Sequence, residues 1–296
     1  METTMTYMPR VTTFGRQAVR IEARPGQFLD LDQLRSLAPA IFAEQPHESR
    51  SERFAHIPTH HMLEALIKEG FMPTGVRIGG SKDPGKRAFT KHMIRLRRVD
   101  ATPSKVGDLF PEVVLKNGHD GTSQYHLMAG LFRLICMNGM VAPDSLVADV
   151  KVPHRGDAIA KVIEGSYTVL GSSGEVLERA QEMSAVQLAP REQRAFALAA
   201  AELRFEAVPE AIKQDPLPII GLRRREDHGN DLWKVFNRAQ ENLTKGGLEY
   251  RVPFTDERGR EDVMNRTTRP IQSVDGDIKM NRALWVLAEE MRKIKA

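Results

Sequence analysis

The spacing of apolar residues changes along the chain, and the changes divide it. Up to residue 55 a Thr-rich start, a short apolar stretch (Phe28, Leu29, Leu31, Leu34, Leu37) and a polar run from Glu44 to Arg53 predict an N-terminal arm (1–55) with one or two short helices. At 59–70 Leu63, Leu66 and Ile67 fall at i, i+3 and i+4, with Thr59 as N-cap and Gly70 as a left-handed stop, which predicts a helix. Beyond Pro73 the period falls towards two. Thr74–Gly80 reads as a strand, Ser81–Gly85 as a turn and Ala88–Val99 as a second strand. On that second strand Thr90, His92, Ile94 and Leu96 share one face, while Phe89, Lys91, Met93, Arg95 and Arg97 share the other. A third strand, Glu112–Lys116, ends at Asn117-Gly118.

At 123–138 Leu127, Met128, Leu131, Phe132 and Ile135 trace a helical stripe, with Ser123 or Thr122 to cap it and Asn138-Gly139 to stop it. Such a helix would put His126 and Arg133 nearly in line on another side. Ala148–Val152 and Tyr167–Leu170 read as further short strands. Helices are predicted at 175–188, 190–206 (with Pro190 in its first turn), 230–245 and 277–294, with Pro209, Pro216 and Pro218 marking a break. The fold class is therefore α+β: a β-β-β-α core with a basic β-hairpin (56–173), followed by a mainly helical C-terminal part (174–296) packing on it. One sheet face would be buried by the helix and the other left for a ligand.

Composition excludes several classes. The 296 residues are 41% hydrophobic and 28% charged, as in globular proteins. No apolar run reaches the roughly 18–20 residues of a membrane helix, and Thr3, Thr4, Thr6, Pro9 and Arg10 stand where a signal peptide would be apolar. A cytoplasmic protein without membrane association is expected. The single cysteine, Cys136, excludes a disulfide framework or a Cys-rich metal site, and its place near a helix end suits packing better than reactivity.

Charge changes the picture further. The net +4 hides a segment, Phe71–Arg98, that carries Arg77, Lys82, Lys86, Arg87, Lys91, Arg95, Arg97 and Arg98 against Asp83 alone: +7 in 28 residues, leaving −3 for the rest. Side chains on one face of a strand recur every 6.6–7 Å or so, so Lys91, Arg95 and Arg97 can track a nucleic-acid backbone, with Phe89 offering a ring to a base. A solvated surface, or a charged edge that discourages sheet aggregation, is the competing account.

Catalytic chemistry is less visible. His56 and His60 are four apart, but Pro58 and Thr59 put His56 outside the helix, and His60 and His61 would point in opposite directions, so no metal or other cofactor is expected. His119-Asp120 before the predicted helix can be an oriented imidazole or simply part of the turn Asn117–Gly121. Gly79-Gly80 and Gly246-Gly247 lack the spacing and the Lys-Ser/Thr of a phosphate loop, and no catalytic residue is assigned.

Three segments carry a resemblance: Ala129–Met140, Val152–Gly156, and Leu232–Leu243 with Gly246-Gly247. They resemble the phage/plasmid-like protein family, catalogued as domain of unknown function family 932, over about Ile57 to Leu243. The predicted β-β-β-α order with a basic hairpin also looks like the core of single-strand annealing recombination proteins, which hold single-stranded DNA in a basic groove of a ring or filament. That resemblance implies an ATP-independent single-stranded DNA-binding and annealing protein, a homo-oligomer using Arg77, Lys82, Lys86, Arg87, Phe89, Lys91, Arg95, Arg97, Arg98 and Arg133. Two alternatives stand beside it. One is a mobile-element protein that inhibits a host recombination or defence protein through helices around Trp233 and Trp285; the other is a metal-dependent nuclease using His119, Asp120 and His126.

Overall fold

Stretches rich in β-branched and aromatic residues between Arg10 and Val152 assemble into one curled sheet of eight antiparallel strands. The computed structural model describes residues 7–47, 57–102, 109–119, 123–133, 138–141, 149–153, 157–256 and 258–295. The strands are β1 (Arg10–Thr13), β2 (Val19–Glu22), β3 (Phe71–Ile78), β4 (His92–Arg98), β5 (Leu109–Asn117), β6 (Tyr125–Arg133), β7 (Asn138–Val141) and β8 (Asp149–Val152). Each pairs with the next, except that β8 returns to β6 beside β7. The N-terminal arm thus supplies two strands as well as the short helix α1 (Leu31–Leu37), which Asp30 and Gln33 cap reciprocally.

Helices α2 (Thr59–Lys68) and α3 (Ala158–Gly171) pack on one face of the sheet. Register puts Ile21, Val76, Ile94, Leu115, Leu127 and Val150 in one row across six strands on that face. Gly165 of α3 lies so close to the row that a Cβ there would meet Leu127 Cδ1 at 2.7 Å and Val150 Cγ1 at 2.9 Å. Gly70 ends the turn after α2 with a φ of 82°, the left-handed conformation its position predicts.

Two sequence expectations are corrected. Residues 125–133 of the predicted 123–138 helix form β6, a strand inside the sheet. Leu127, Ala129 and Leu131 alternate with Met128 and Phe132, and all are buried. A strand covered on both faces has an unbroken apolar run, which satisfies helical spacing as easily as strand spacing. Gly130 fits only here, since a Cβ would sit 2.8 Å from Val114 Cγ2 and 2.9 Å from the Met140 carbonyl oxygen. Tyr167–Leu170, read as a strand, lies within α3. The α+β class stands, with the sheet covered by helices that precede β3 and follow β8. Cys136 and Asp120 lie outside the described residues.

Contacts divide the chain into two compact units, residues 1–174 with 272–274, and residues 175–271 with 275–296. The second contains α4 (Ser173–Ala185) from Glu175 on, α5 (Pro190–Arg204), α6 (Glu210–Gln214), α7 (Leu232–Lys245) and α8 (Val274–Lys295) from Asp275 on, with a two-stranded ribbon of β9 (Glu249–Thr255) and β10 (Glu261–Thr267). Its core holds Trp233, Phe236 and Trp285 in mutual ring contact at centroid distances of 5.4–6.1 Å. Both tryptophans are buried and fill this core, the reading that competes with a contact surface built around them. Among the described residues no helix is long and apolar enough to cross a membrane.

Candidate nucleic-acid interface

The basic hairpin does not present its arginines as one solvated strip. Arg95 and Arg97 lie on the sheet face opposite α2 and α3, yet both are buried, as are Arg77 and Arg133. Arg95 pairs with Glu22 and lies 3.4 Å from Glu112 Oε2. Arg97 donates to Glu112 Oε1 at 2.8 Å, and the Thr74 hydroxyl donates to the same oxygen at 2.8 Å. The two guanidiniums also cover aromatic rings: Arg95 lies 4.3 Å from the Phe132 centroid, and Arg97 lies 3.9 Å from that of Phe110. A buried guanidinium already paired with carboxylates is a structural group, so Arg95 and Arg97 leave the set of phosphate contacts. Sequence reasoning missed Glu22 and Glu112, although an acid inside the apolar run of β5 is a readable signal.

Arg98, half-buried, is held by Asp100 at 2.9 Å and by the Glu69 carbonyl. Its bond to Asp100 holds that carboxyl below its ordinary value. What remains outward is the connection between β3 and β4. Asp83 caps its short turn by accepting from the Gly85 N–H at 2.9 Å. Lys82 and Lys86 are exposed there, and Arg87 and Lys91 are half-buried. Phe89 is half-buried too, with its ring against the edge of His47 at 5.3 Å.

Register reveals a second basic feature that the linear sequence hides. On the face opposite the helices, the row nearest the β3–β4 connection runs Arg20, Arg77, Met93, Lys116, His126, Lys151 across β2, β3, β4, β5, β6 and β8. Five of its six positions carry Arg, Lys or His, one per strand at about 4.8 Å spacing. Lys151 is exposed; Arg20, Lys116 and His126 are half-buried. The acids beside the row are engaged: Glu22 accepts from Arg20 Nε at 2.7 Å, and Asp149 pairs with His126. These residues are scattered over 131 positions of sequence, so only strand pairing brings them together.

Thr59, His92, Asn117 and His119 form a buried polar cluster in the first unit. The Thr59 hydroxyl lies 2.8 Å from His92 Nε2, 3.1 Å from His119 Nε2 and 2.9 Å from Asn117 Nδ2, which donates to it. His92 Nδ1 faces the Thr90 carbonyl at 3.1 Å, and a carbonyl only accepts, so Nδ1 carries a proton. Beside Thr59 the Tyr125 hydroxyl donates to the Ile57 carbonyl at 2.6 Å, and burial pushes its phenol well above the ordinary value. All four cluster residues are fully buried, so His119 acts in packing and hydrogen bonding rather than at an accessible nuclease site.

In the second unit the Leu232–Leu243 segment is α7, which is buried on nearly all sides yet rich in polar groups. Asn242 donates to the Ile219 and Gly221 carbonyls at 2.9 Å and accepts from Arg223. Glu241 accepts from Arg224 and from Lys245, which lies 2.7 Å away. Gln240 donates to Asn281 at 2.9 Å. Burial pushes the Glu241 carboxyl up, and its hydrogen bonds outweigh this and hold it below the ordinary carboxylate value. Arg223 and Arg224 are thereby engaged inside the second unit.

A family described as "Domain of unknown function (DUF932)" matches residues 46–285. Two curated proteins of Escherichia coli (strain K12) are similar over 264 residues, 89% of this chain and 91% of each relative: "UPF0380 protein YafZ" at 43% identity and "UPF0380 protein YfjQ" at 42%. No solved structure matches the chain.

Proposed function

We propose that this chain, which belongs to the DUF932 family, binds single-stranded DNA through its phosphates and anneals it without ATP. The observation that carries the reading is the basic row across six strands, Arg20 to Lys151, which lies at the end of the sheet from which the β3–β4 connection with its exposed Lys82 and Lys86 emerges. A strand of nucleic acid running across the β-strands would meet a basic side chain on every strand of the row except β4, which carries Met93, with Arg77 buried among them, and then the lysines of the connection. Phosphate contacts of this kind are indifferent to base identity, as annealing of arbitrary complements requires. Self-association into a ring or filament would extend the row from one copy to the next.

The test uses cations whose loss leaves the core intact. Replacing Lys82, Lys86, Lys116 and Lys151 with Ala should weaken binding of a labelled oligonucleotide and flatten the slope of log affinity against log salt by about 3, since each single-strand phosphate contact contributes about 0.7. The same variant should lose acceleration of complementary-strand pairing in a fluorescence-transfer assay. Wild-type affinity and slope in this variant would refute the reading. Electron microscopy with and without DNA tests assembly: particles that stay monomeric on DNA would remove the ring or filament.

A further inference from the structure

His60 and His61 open α2, and consecutive helical residues are about 100° apart around the axis, so their side chains need not oppose each other. In the structure the two rings lie side by side with centroids 4.3 Å apart, which corrects the expectation that they diverge. Glu44, just after the turn Pro39–Phe42, comes to the same place. One donor atom from each of Glu44, His60 and His61 lies within 4.8 Å of the other two. Phe42 stacks on the His60 ring at 5.4 Å and 21°, fixing its plane.

The His60–Glu44 contact has a telling length. His60 Nε2 and Glu44 Oε1 are 3.4 Å apart, too long for a good charge-assisted hydrogen bond, which is about 2.7–2.9 Å. Two ligand atoms each about 2.0–2.1 Å from a tetrahedral zinc ion are separated by about 3.3–3.4 Å. His60 is buried, and its Nδ1 has no hydrogen-bond partner. Glu44 and His61 are exposed, so their side chains are open to solvent. Arg35, whose guanidinium sits 4.5 Å from the centre of the Phe42 ring, and the positive end of α2 both oppose a cation here. Glu44 supplies the opposing charge, and imidazole binds zinc as a neutral ligand.

We propose that Glu44, His60 and His61 form a site for a divalent zinc-type cation, with a fourth position open to solvent. Two imidazoles and a carboxylate suit zinc over calcium or magnesium, which take oxygen ligands. The proposal stands apart from DNA binding and uses none of its residues.

The full chain, treated with chelator and exchanged into metal-free buffer, would be titrated with Co²⁺ and then Zn²⁺. One equivalent of Co²⁺ should give the intense visible absorption of a tetrahedral site, which one equivalent of Zn²⁺ abolishes. His61→Ala and Glu44→Gln each alter an exposed side chain, so far-UV circular dichroism should stay unchanged. Each should weaken metal affinity by at least about tenfold, the smallest loss typical even of outer-sphere groups. Absence of the absorption band and of one-to-one zinc binding would overturn the site, as would unchanged affinity in both variants.

Discussion

Gly75 offers a sharp test of the ion-pair network inside the sheet. It lies on β3 directly beneath the Arg95–Glu22 pair. A Cβ added there would fall onto Arg95 Nη2, 2.8 Å from its Nε and 2.9 Å from Glu22 Oε2. Its backbone is not in the left-handed region, so Gly75→Ala carries no φ penalty and its whole cost should come from displacing the guanidinium. Breaking a buried pair costs about 3–5 kcal/mol, and Ala in place of Gly returns about 0.4–1 kcal/mol by restricting the unfolded chain. A net loss of about 2–4 kcal/mol follows, or a urea midpoint lower by about 1–2 M. Both tryptophans, Trp233 and Trp285, lie in the second unit, so the midpoint is read from far-UV circular dichroism. In an Arg95→Met background the added methyl meets no guanidinium, and the effect of Gly75→Ala should fall below about 1 kcal/mol. Equal losses in the two backgrounds would refute the argument, as would an unaffected midpoint in the parent chain.

Two further predictions concern buried polar groups. Thr59→Val should cost about 3 kcal/mol or more in urea unfolding, because His92, His119 and Asn117 lose a shared partner, whereas Thr59→Ser keeps the hydroxyl and should cost about 1 kcal/mol for the methyl; equal losses would show that the hydroxyl is not the hub. The folded Glu241 carboxyl titrates below its unfolded value, so its stabilisation is present at neutral pH and lost as pH falls through the folded value. Glu241→Gln should therefore weaken the second unit at pH 7, with a gap to wild type that narrows below about pH 4; a gap constant with pH, followed by tryptophan fluorescence, would contradict that assignment.

α2, α5, α7 and the β3–β4 hairpin lie close to the spans that the sequence predicts for them. β6 was hidden because burial on both faces erases alternation. The basic hairpin was misleading for a related reason. Counting charges along 71–98 finds the cations but not Glu22 and Glu112, which reach them from other strands. The row from Arg20 to Lys151 shows the converse, since its members are far apart in sequence and adjacent only through register. Glu44 is equally distant from the local pattern of α2 that brings His60 and His61 together.

The polar lining of α7 has a consequence for how the second unit finds its arrangement. A purely apolar helix in that place could slip by a turn, or roll, and still bury its surface. Here a slip would part Asn242 from the Ile219 and Gly221 carbonyls, Gln240 from Asn281 and Glu241 from Arg224 together. Gly246 closes the other escape, since a side chain there would strike Thr268 O and the Arg269 carbonyl carbon at 2.6 Å. Misaligned packings of this helix are therefore made expensive all at once, and the segment Leu232–Leu243 acts as an alignment gauge: it admits one seating, and sequences that drift at these positions lose uniqueness before they lose hydrophobicity.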